Sequence, residues 1–453
     1  MAALLAFLKS KPIILGLVIL TLLIPLSLIE SKISERAQFH QRAVDEISRS
    51  WTHRQTLTGP ILVVNYSTTK ETTYWSEPDQ KYLQHTQSLP ETLMLPMKRV
   101  ALTSDLTTEE RYRGIHKVQV YNTRMHLDGD YDPDSFLELL GTEGFEQLHS
   151  AYLWIHVSDQ RGFLDIPTLA WGDTHRTFSA GGHPHLDQQG IKVDLDQIAL
   201  SEERSFSSEL TLRGTYQMSF VPTGITTHIK MTSLWPHPKF IGRYLPTERL
   251  IDEGGKGFSA IWRITELATN ISRDLTKCGQ GNCMSLLNNH LGVELLTPVD
   301  IYLMTERAVK YSLLFVGLVF ALLIAVEISR DVDVHPIQYL MIGVALSIFY
   351  LLLIALSEHI AFPFAYIIAT LMCTGLLAFY GRHIFRGVLP GLNFGVLNAL
   401  LFGLLYVVLN AEDVALLLGT LITFIIVTIL MVVTSNTDRL AAFSARLQMK
   451  KES

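Results

Sequence analysis

Uncharged stretches of spanning length crowd the last third of this chain, and they limit its possible folds more than any other feature. Five follow one another, at Tyr311–Val326, Pro336–Ser357, Ile360–Gly381, Val388–Ala411 and Val414–Thr437. A bilayer's hydrocarbon core, about 30 Å thick, takes roughly 20 residues of helix at about 1.5 Å each. The first run is the shortest, and it gains a turn if Ala308 and Val309 join it while Lys310 snorkels to the interface. A sixth run, Pro12–Ile29, stands alone, with Lys9 and Lys11 before it and Glu30, Lys32, Glu35 and Arg36 after it. A cleaved signal peptide would carry a shorter apolar region and a small-x-small cleavage site. The run ends Ile24-Pro25-Leu26-Ser27-Leu28-Ile29, with no Ala-x-Ala, so it is expected to remain as a signal anchor.

Composition agrees. Of 453 residues, 48% are hydrophobic and 18% charged, whereas soluble domains carry about a quarter charged residues. The surplus belongs in lipid. A net charge of −6 without a basic block argues against nucleic acid as the main partner, and three cysteines exclude a disulfide-rich scaffold.

Lys and Arg in short loops set orientation. Lys9, Lys11, Arg330, Arg382, Arg386, Arg439, Arg446, Lys450 and Lys451 fall on one side of the expected spans. The opposite turns, Ser357-Glu358-His359 and Asn410-Ala411-Glu412-Asp413, contain neither. Both termini are therefore expected in the cytoplasm. The fold class is an α+β membrane protein: a cytoplasmic N-terminus and anchor helix over 1–29, a β-rich periplasmic domain over 30–307, a bundle of five membrane helices over 308–437 and a cytoplasmic tail over 438–453.

The β character of the outer segment rests on alternation. Leu210–Phe220 places Leu210, Leu212, Gly214, Tyr216, Met218 and Phe220 on one face of an expected single strand. Ile191–Leu195, Ile225–Met231 and Phe258–Ile264 alternate likewise, while Ile61–Val64 and Tyr152–Val157 are continuous apolar strands. Such short strands between Gly, Pro and Asp imply an antiparallel sandwich or a barrel-like domain. Glu30–Ser50 is expected to be helical, with Ile33, Ala37, Val44 and Ile47 forming its apolar stripe.

Catalytic signatures are absent: the chain has no Gly-x-Ser-x-Gly, no His-Glu-x-x-His and no P-loop. A non-enzymatic protein without cofactor or metal is expected. Gly254-Gly255-Lys256-Gly257 lacks the P-loop spacing and reads as a turn. Gly182-His183-Pro184-His185-Leu186-Asp187 is short of a zinc ligand set and reads as a solvated loop. Trp235-Pro236-His237-Pro238 is less ordinary, since two prolines fix the backbone around His237 beside a large rigid ring. Trp235 and His237 suit either a binding edge or a turn that seals the core. Cys278 and Cys283 flank Gly279-Gln280-Gly281-Asn282, a loop able to close in an oxidising compartment, so a local disulfide is expected. Cys373 lies in a span as a packing residue.

Glu358 with His359, and Glu412 with Asp413, fall at the outer ends of the spans. Each pair is either a proton- or cation-handling site or an interfacial turn, with Ser357 and Asp413 capping the helices that follow. The turn is the preferred reading. Gly391, Gly395, Ala399 and Gly403 recur every four residues and permit close helix packing, within one chain or in a homo-oligomer. Asn393 and Asn398, on the same helix, are expected to hydrogen-bond neighbouring helices.

Several segments resemble the CreD family of bacterial inner-membrane, or cell envelope integrity, proteins. They are Leu89-Pro90-Glu91, Trp235-Pro236-His237-Pro238, Thr305–Tyr311, His335–Leu340, Ser357-Glu358-His359 and Ala415–Thr420, in an order that covers nearly the whole chain. The resemblance implies a bacterial inner-membrane location and a link to envelope stress under a two-component regulator. It supplies no catalytic residues, and Cys278 and Cys283 lie outside it. The expected function is envelope integrity through a protein, lipid or glycan partner of the outer domain. The alternative is transport of a lipid or small solute through the five-helix bundle, with Glu358, His359, Glu412 and Asp413 at its outer mouth.

Overall fold

The computed structural model describes residues 11–434 apart from 78–80, 185, 187–188, 197–199, 253, 297–300, 331 and 411–414. Two compact units result, Met1–Gln41 with Val299–Ser453, and Arg42–Pro298. The boundary falls within helix α1, Lys11–Ser50, whose 40 residues measure about 60 Å at 1.5 Å each. The expected apolar stripe continues past the anchor and divides between the units. Ile33 and Ala37 join Leu22, Leu26 and Ile29 in the core of the first, while Val44 and Ile47 pack on Val118 and Val120 in the second.

The second unit is a sandwich of two sheets, with eight strands in each. In spatial order the first holds β13 (Pro238–Gly242), β16 (Leu291–Leu295), β11 (Gln217–Val221), β1 (Gln55–Ser76), β5 (Phe145–Val157), β9 (Ile191–Leu195) and β8 (Ser179–Ala180), with β2 (Lys81–Leu95) paired to β1. The second holds β14 (Glu248–Ile251), β15 (Phe258–Thr265), β12 (Gly224–Ser233), β3 (Met97–Arg113), β4 (His116–Tyr131), β10 (Arg204–Thr215), β6 (Thr168–Trp171) and β7 (Thr174–Thr177). β1 with β11 and β3 with β12 run parallel, so the sandwich is mixed rather than wholly antiparallel.

The single strand expected over Leu210–Phe220 is two. β10 ends at Thr215 in one sheet and β11 begins at Gln217 in the other, with Tyr216 between them at φ 60°. That left-handed residue turns the chain across the sandwich, so Leu210, Leu212, Met218 and Phe220 still reach the shared core. Tyr216 leaves the alternation and packs beside Ile47, Val118 and Val120 instead. The two continuous apolar runs have a different cause, since both of their faces are covered. Leu62, Val64, Leu153, Ile155 and Val157 enter the core between the sheets. Ile61, Val63, Tyr152 and Trp154 face a smaller cluster with Ile271, Leu275 and Leu286. Those last three belong to helices α4 (Ile271–Gly279) and α5 (Met284–Leu287), which follow the short α2 (Asp134–Leu140) and α3 (Glu266–Thr269).

The first unit completes its helices with α6 (Ile301–Lys310), α7 (Ser312–Arg330), α8 (Pro336–Ser357), α9 (Phe362–Ile384), α10 (Val388–Asn410) and α11 (Ala415–Thr434). Among the described residues, four helices are long and apolar enough to cross a membrane, namely α1, α8, α9 and α10, or five if the bent pair α6–α7 is one span. Ala308 and Val309 do not extend α7 as a straight turn. They belong to α6, which breaks from α7 at a 48° bend. The amphipathic α6 buries Tyr302, Thr305, Ala308 and Val309 along one side, whereas α7 is apolar almost throughout.

Candidate functional site

Trp235 and His237 lie in the β12–β13 connection. The Trp235 ring packs against the sandwich core, and its Nε1–H donates to the Leu296 carbonyl at 3.0 Å. The Leu296 N–H donates to the His237 carbonyl at 3.2 Å, so this segment is tied to the end of β16 from both sides. Trp235 is partly buried, and the His237 side chain is exposed beside it.

At the end of α8, the Glu358 side chain is 8% exposed, with Arg36 of α1 at 3.8 Å. His359 beside it is exposed. The sequence gives no hint of this partner, because Arg36 and Glu358 stand 322 positions apart in the chain. Ser357 does not cap the next helix. Its hydroxyl donates to the Leu353 carbonyl one turn back, at 2.7 Å, and Ala361 holds the N-cap position of α9 without a side-chain bond. Glu412 and Asp413 lie outside the described residues. A second carboxylate, on α7, was not singled out by its sequence: Glu327 is 1% exposed and accepts from Tyr339 Oη and the Val334 N–H, both at 2.8 Å. It fastens the α7–α8 connection.

The small-residue row on α10 is only half used. A Cβ on Gly391 would meet the backbone of Arg382 at 2.4 Å, and one on Gly395 would meet Ala378 Cβ at 2.6 Å. Ala399 is half-buried, and Gly403 has nothing within 4 Å. Steps of four on a helix of 3.6 residues per turn rotate about 40° each, so the row drifts off the α9 contact. Asn398 is buried, and its amide donates to the Phe394 carbonyl of its own helix at 2.7 Å rather than to a neighbour. Asn393 is exposed.

Cys278 and Cys283 are bonded to each other, with Cα atoms 4.1 Å apart, and both sit in the cluster under α4 and α5. His183 is 3% exposed beside the Trp154 ring, 5.9 Å between centroids. His185 and Asp187 lie outside the described residues. Among the described residues no three His, Cys, Asp or Glu side chains gather to hold a metal. Gly255 and Gly257 take positive φ in the β14–β15 turn.

Two features escaped the sequence reading. The first is a ribbon. β1 pairs with β5 only as far as Thr68, yet it stays paired with β2 out to Ser76 opposite Lys81. From Thr69 to Ser88 every described side chain except Leu83 is exposed. Near its tip Trp75 and Tyr82 are cross-strand partners, 50% and 71% exposed, their rings 5.0 Å apart. A two-stranded ribbon with neither face buried is only marginally stable in water, and an aromatic pair offsets about 0.2–1 kcal/mol of that. The available signal was Tyr74-Trp75 and Tyr82 within a stretch otherwise rich in Thr, Gln and Ser.

The second is a buried polar joint where α1 ends and β1 begins. Asp159, 8% exposed, accepts from Arg161 Nε and Nη2 at 2.9 and 2.6 Å and from the His53 N–H at 3.2 Å. Gln55 Nε2 donates to the Asp159 carbonyl at 2.9 Å, and Thr215 Oγ1 donates to the Thr52 carbonyl at 2.6 Å. Burial pushes the Asp159 carboxyl up, but the Arg161 guanidinium and the two backbone N–H groups outweigh it and hold it below the usual carboxylate range. The Trp51 ring beside this joint has Arg111 and Arg213 guanidinium carbons 4.7 and 4.8 Å from its centroid.

Among the described residues these groups do not assemble a nucleophile, base and oxyanion donor; they pack and anchor the chain, and the ribbon is exposed. The family model described as inner membrane protein CreD matches residues 8–439. Inner membrane protein CreD of Escherichia coli (strain K12) is 32% identical over 441 residues, which cover 96% of this chain and 94% of that protein. The chain belongs to the CreD family of inner membrane proteins.

Proposed function

We propose that the chain crosses the inner membrane six times with both termini in the cytoplasm, and that its β-rich domain stands in the periplasm. There the domain binds an envelope component through the β1–β2 ribbon and so contributes to envelope integrity and the response to envelope stress, without catalysis. The observation that carries this reading is the ribbon itself, where every described side chain from Thr69 to Ser88 except Leu83 is exposed, with Trp75 and Tyr82 near its tip. Its geometry contributes nothing to the core, and Trp and Tyr are the side chains that recognition surfaces favour. The distribution of Lys and Arg supports the orientation, and the fifth bundle helix is α11, whose 20 residues are strongly apolar. For transport through the bundle, Glu358 would have to be available at the outer mouth beside the exposed His359. The Arg36 neighbour and low exposure of Glu358 favour a structural pair instead.

Replacing both Trp75 and Tyr82 with Ala tests the proposal. The variant is expected to reach the membrane in normal amount and to lose no more than about 1 kcal/mol of stability. In cells lacking their own copy, it should leave resistance to envelope stress at the level of the deletion. Full resistance with the double variant would remove the ribbon from the function.

A further inference from the structure

A surface concavity of about 520 Å³ lies where α1 meets the β3–β4 hairpin, lined in part by Glu46, Arg49, Trp51, Arg111, Tyr112 and Arg113. Three arginines and one glutamate line it. Arg113 Nε contacts Glu46 at 2.8 Å, and Arg111 Nη2 contacts Glu109 at 2.9 Å. A guanidinium has five N–H donors in a planar fork, and each of these ion pairs engages one nitrogen. The Arg111 guanidinium carbon also lies 4.7 Å from the Trp51 ring centroid, a cation–π contact that uses none of its N–H donors.

We infer that this concavity binds a phosphate-bearing anion. A single carboxylate would merely duplicate the partners that Arg111 and Arg113 already have. A phosphate brings more charge and three acceptor oxygens, enough to engage three guanidiniums together while those carboxylates stay in place. Trp51, with Arg111 and Arg213 over its ring, and Tyr112, with Lys117 over its own, line the concavity beside the arginines. The assignment rests on the reading that the β-rich domain recognises an envelope component, and adds a second site on that domain, remote in sequence from the ribbon tip. The shared chemistry has two sources, a phospholipid headgroup or a soluble phosphate ester.

The test is titration of the full chain in uncharged detergent with glycerol 3-phosphate and, separately, with phosphatidylglycerol. Arg111→Gln/Arg113→Gln is expected to weaken binding by about tenfold or more for each arginine removed. Glu46→Gln, which keeps all three arginines and removes the opposing charge, should tighten it, and so guards against a misfolded double variant. Arginine-dependent binding of both probes identifies a phosphate-ester site. Arginine-dependent binding of phosphatidylglycerol alone identifies a headgroup site. Equal affinities in wild type and variants, or tighter arginine-dependent binding of a Glu-rich peptide, would overturn the assignment. Binding that survives while the Trp75/Tyr82 variant stays fully active would leave the site standing and refute only the ribbon.

Discussion

Gly391→Val is expected to force α9 and α10 apart and cost the membrane-helix unit about 3 kcal/mol, the upper part of the range for overpacking. The new Cβ would meet Arg382 N at 2.4 Å, Arg382 Cα at 2.6 Å and the Ala378 carbonyl oxygen at 2.8 Å. All three are helix backbone, so no side chain can swing aside and the helices themselves must move. Gly403→Val is the matched control. Nothing lies within 4 Å of its Cβ, and its effect should stay within about 0.5 kcal/mol. The chain supplies its own probe: Cys373 is the free cysteine, 6% exposed on α9, and its labelling by a thiol-reactive dye on heating reports the opening of this unit. Equal melting of both variants would refute the α9–α10 contact.

Asp159→Ala is expected to destabilise the β-rich domain by about 3 kcal/mol, the lower end for breaking a buried pair, because Arg161 is 52% exposed and can rehydrate. The substitution strips the His53 N–H, the Arg161 N–H and the Arg161 guanidinium of their acceptor together. All six tryptophans, at 51, 75, 154, 171, 235 and 262, lie in this domain, so intrinsic fluorescence follows it alone. At about 2–4 °C per kcal/mol, the midpoint should fall roughly 6–12 °C. The sign with pH follows from the lowered Asp159 carboxyl. Its contribution is complete above the unfolded carboxylate value, about 3.9, and is lost as pH falls through the lower folded value. The gap between wild type and variant should therefore close in acid. A gap independent of pH would show that the loss is one of shape rather than charge.

Features with a local cause were legible in the sequence. Ile191–Leu195 and Phe258–Ile264 alternate because one face meets the core, and α8 and α10 begin and end within a residue or two of their uncharged runs. Features made by distant contacts were not. Nothing near Glu358 in the chain announces Arg36, and nothing near Asp159 announces His53 or Gln55. Tyr216 hid a change of sheet because alternation on both sides of it still points into one core. The glycine row on α10 was read at a period of four, but the helix keeps 3.6, and Gly403 turned away from α9. Trp75 and Tyr82 lacked any motif at all; only the register of β1 against β2 and β5 shows them beyond the body of the sheet.

The central claim, that the β-rich domain meets its ligand in the periplasm, is tested most directly by accessibility at the ribbon. With Thr86, exposed on β2, replaced by Cys in the full chain, a membrane-impermeant maleimide added to intact cells should reach the periplasmic face and label it. The native cysteines stay silent there, two in a disulfide and one buried. Labelling without opening the inner membrane is the predicted result. Labelling only after the inner membrane is broken would put the domain in the cytoplasm and contradict the account.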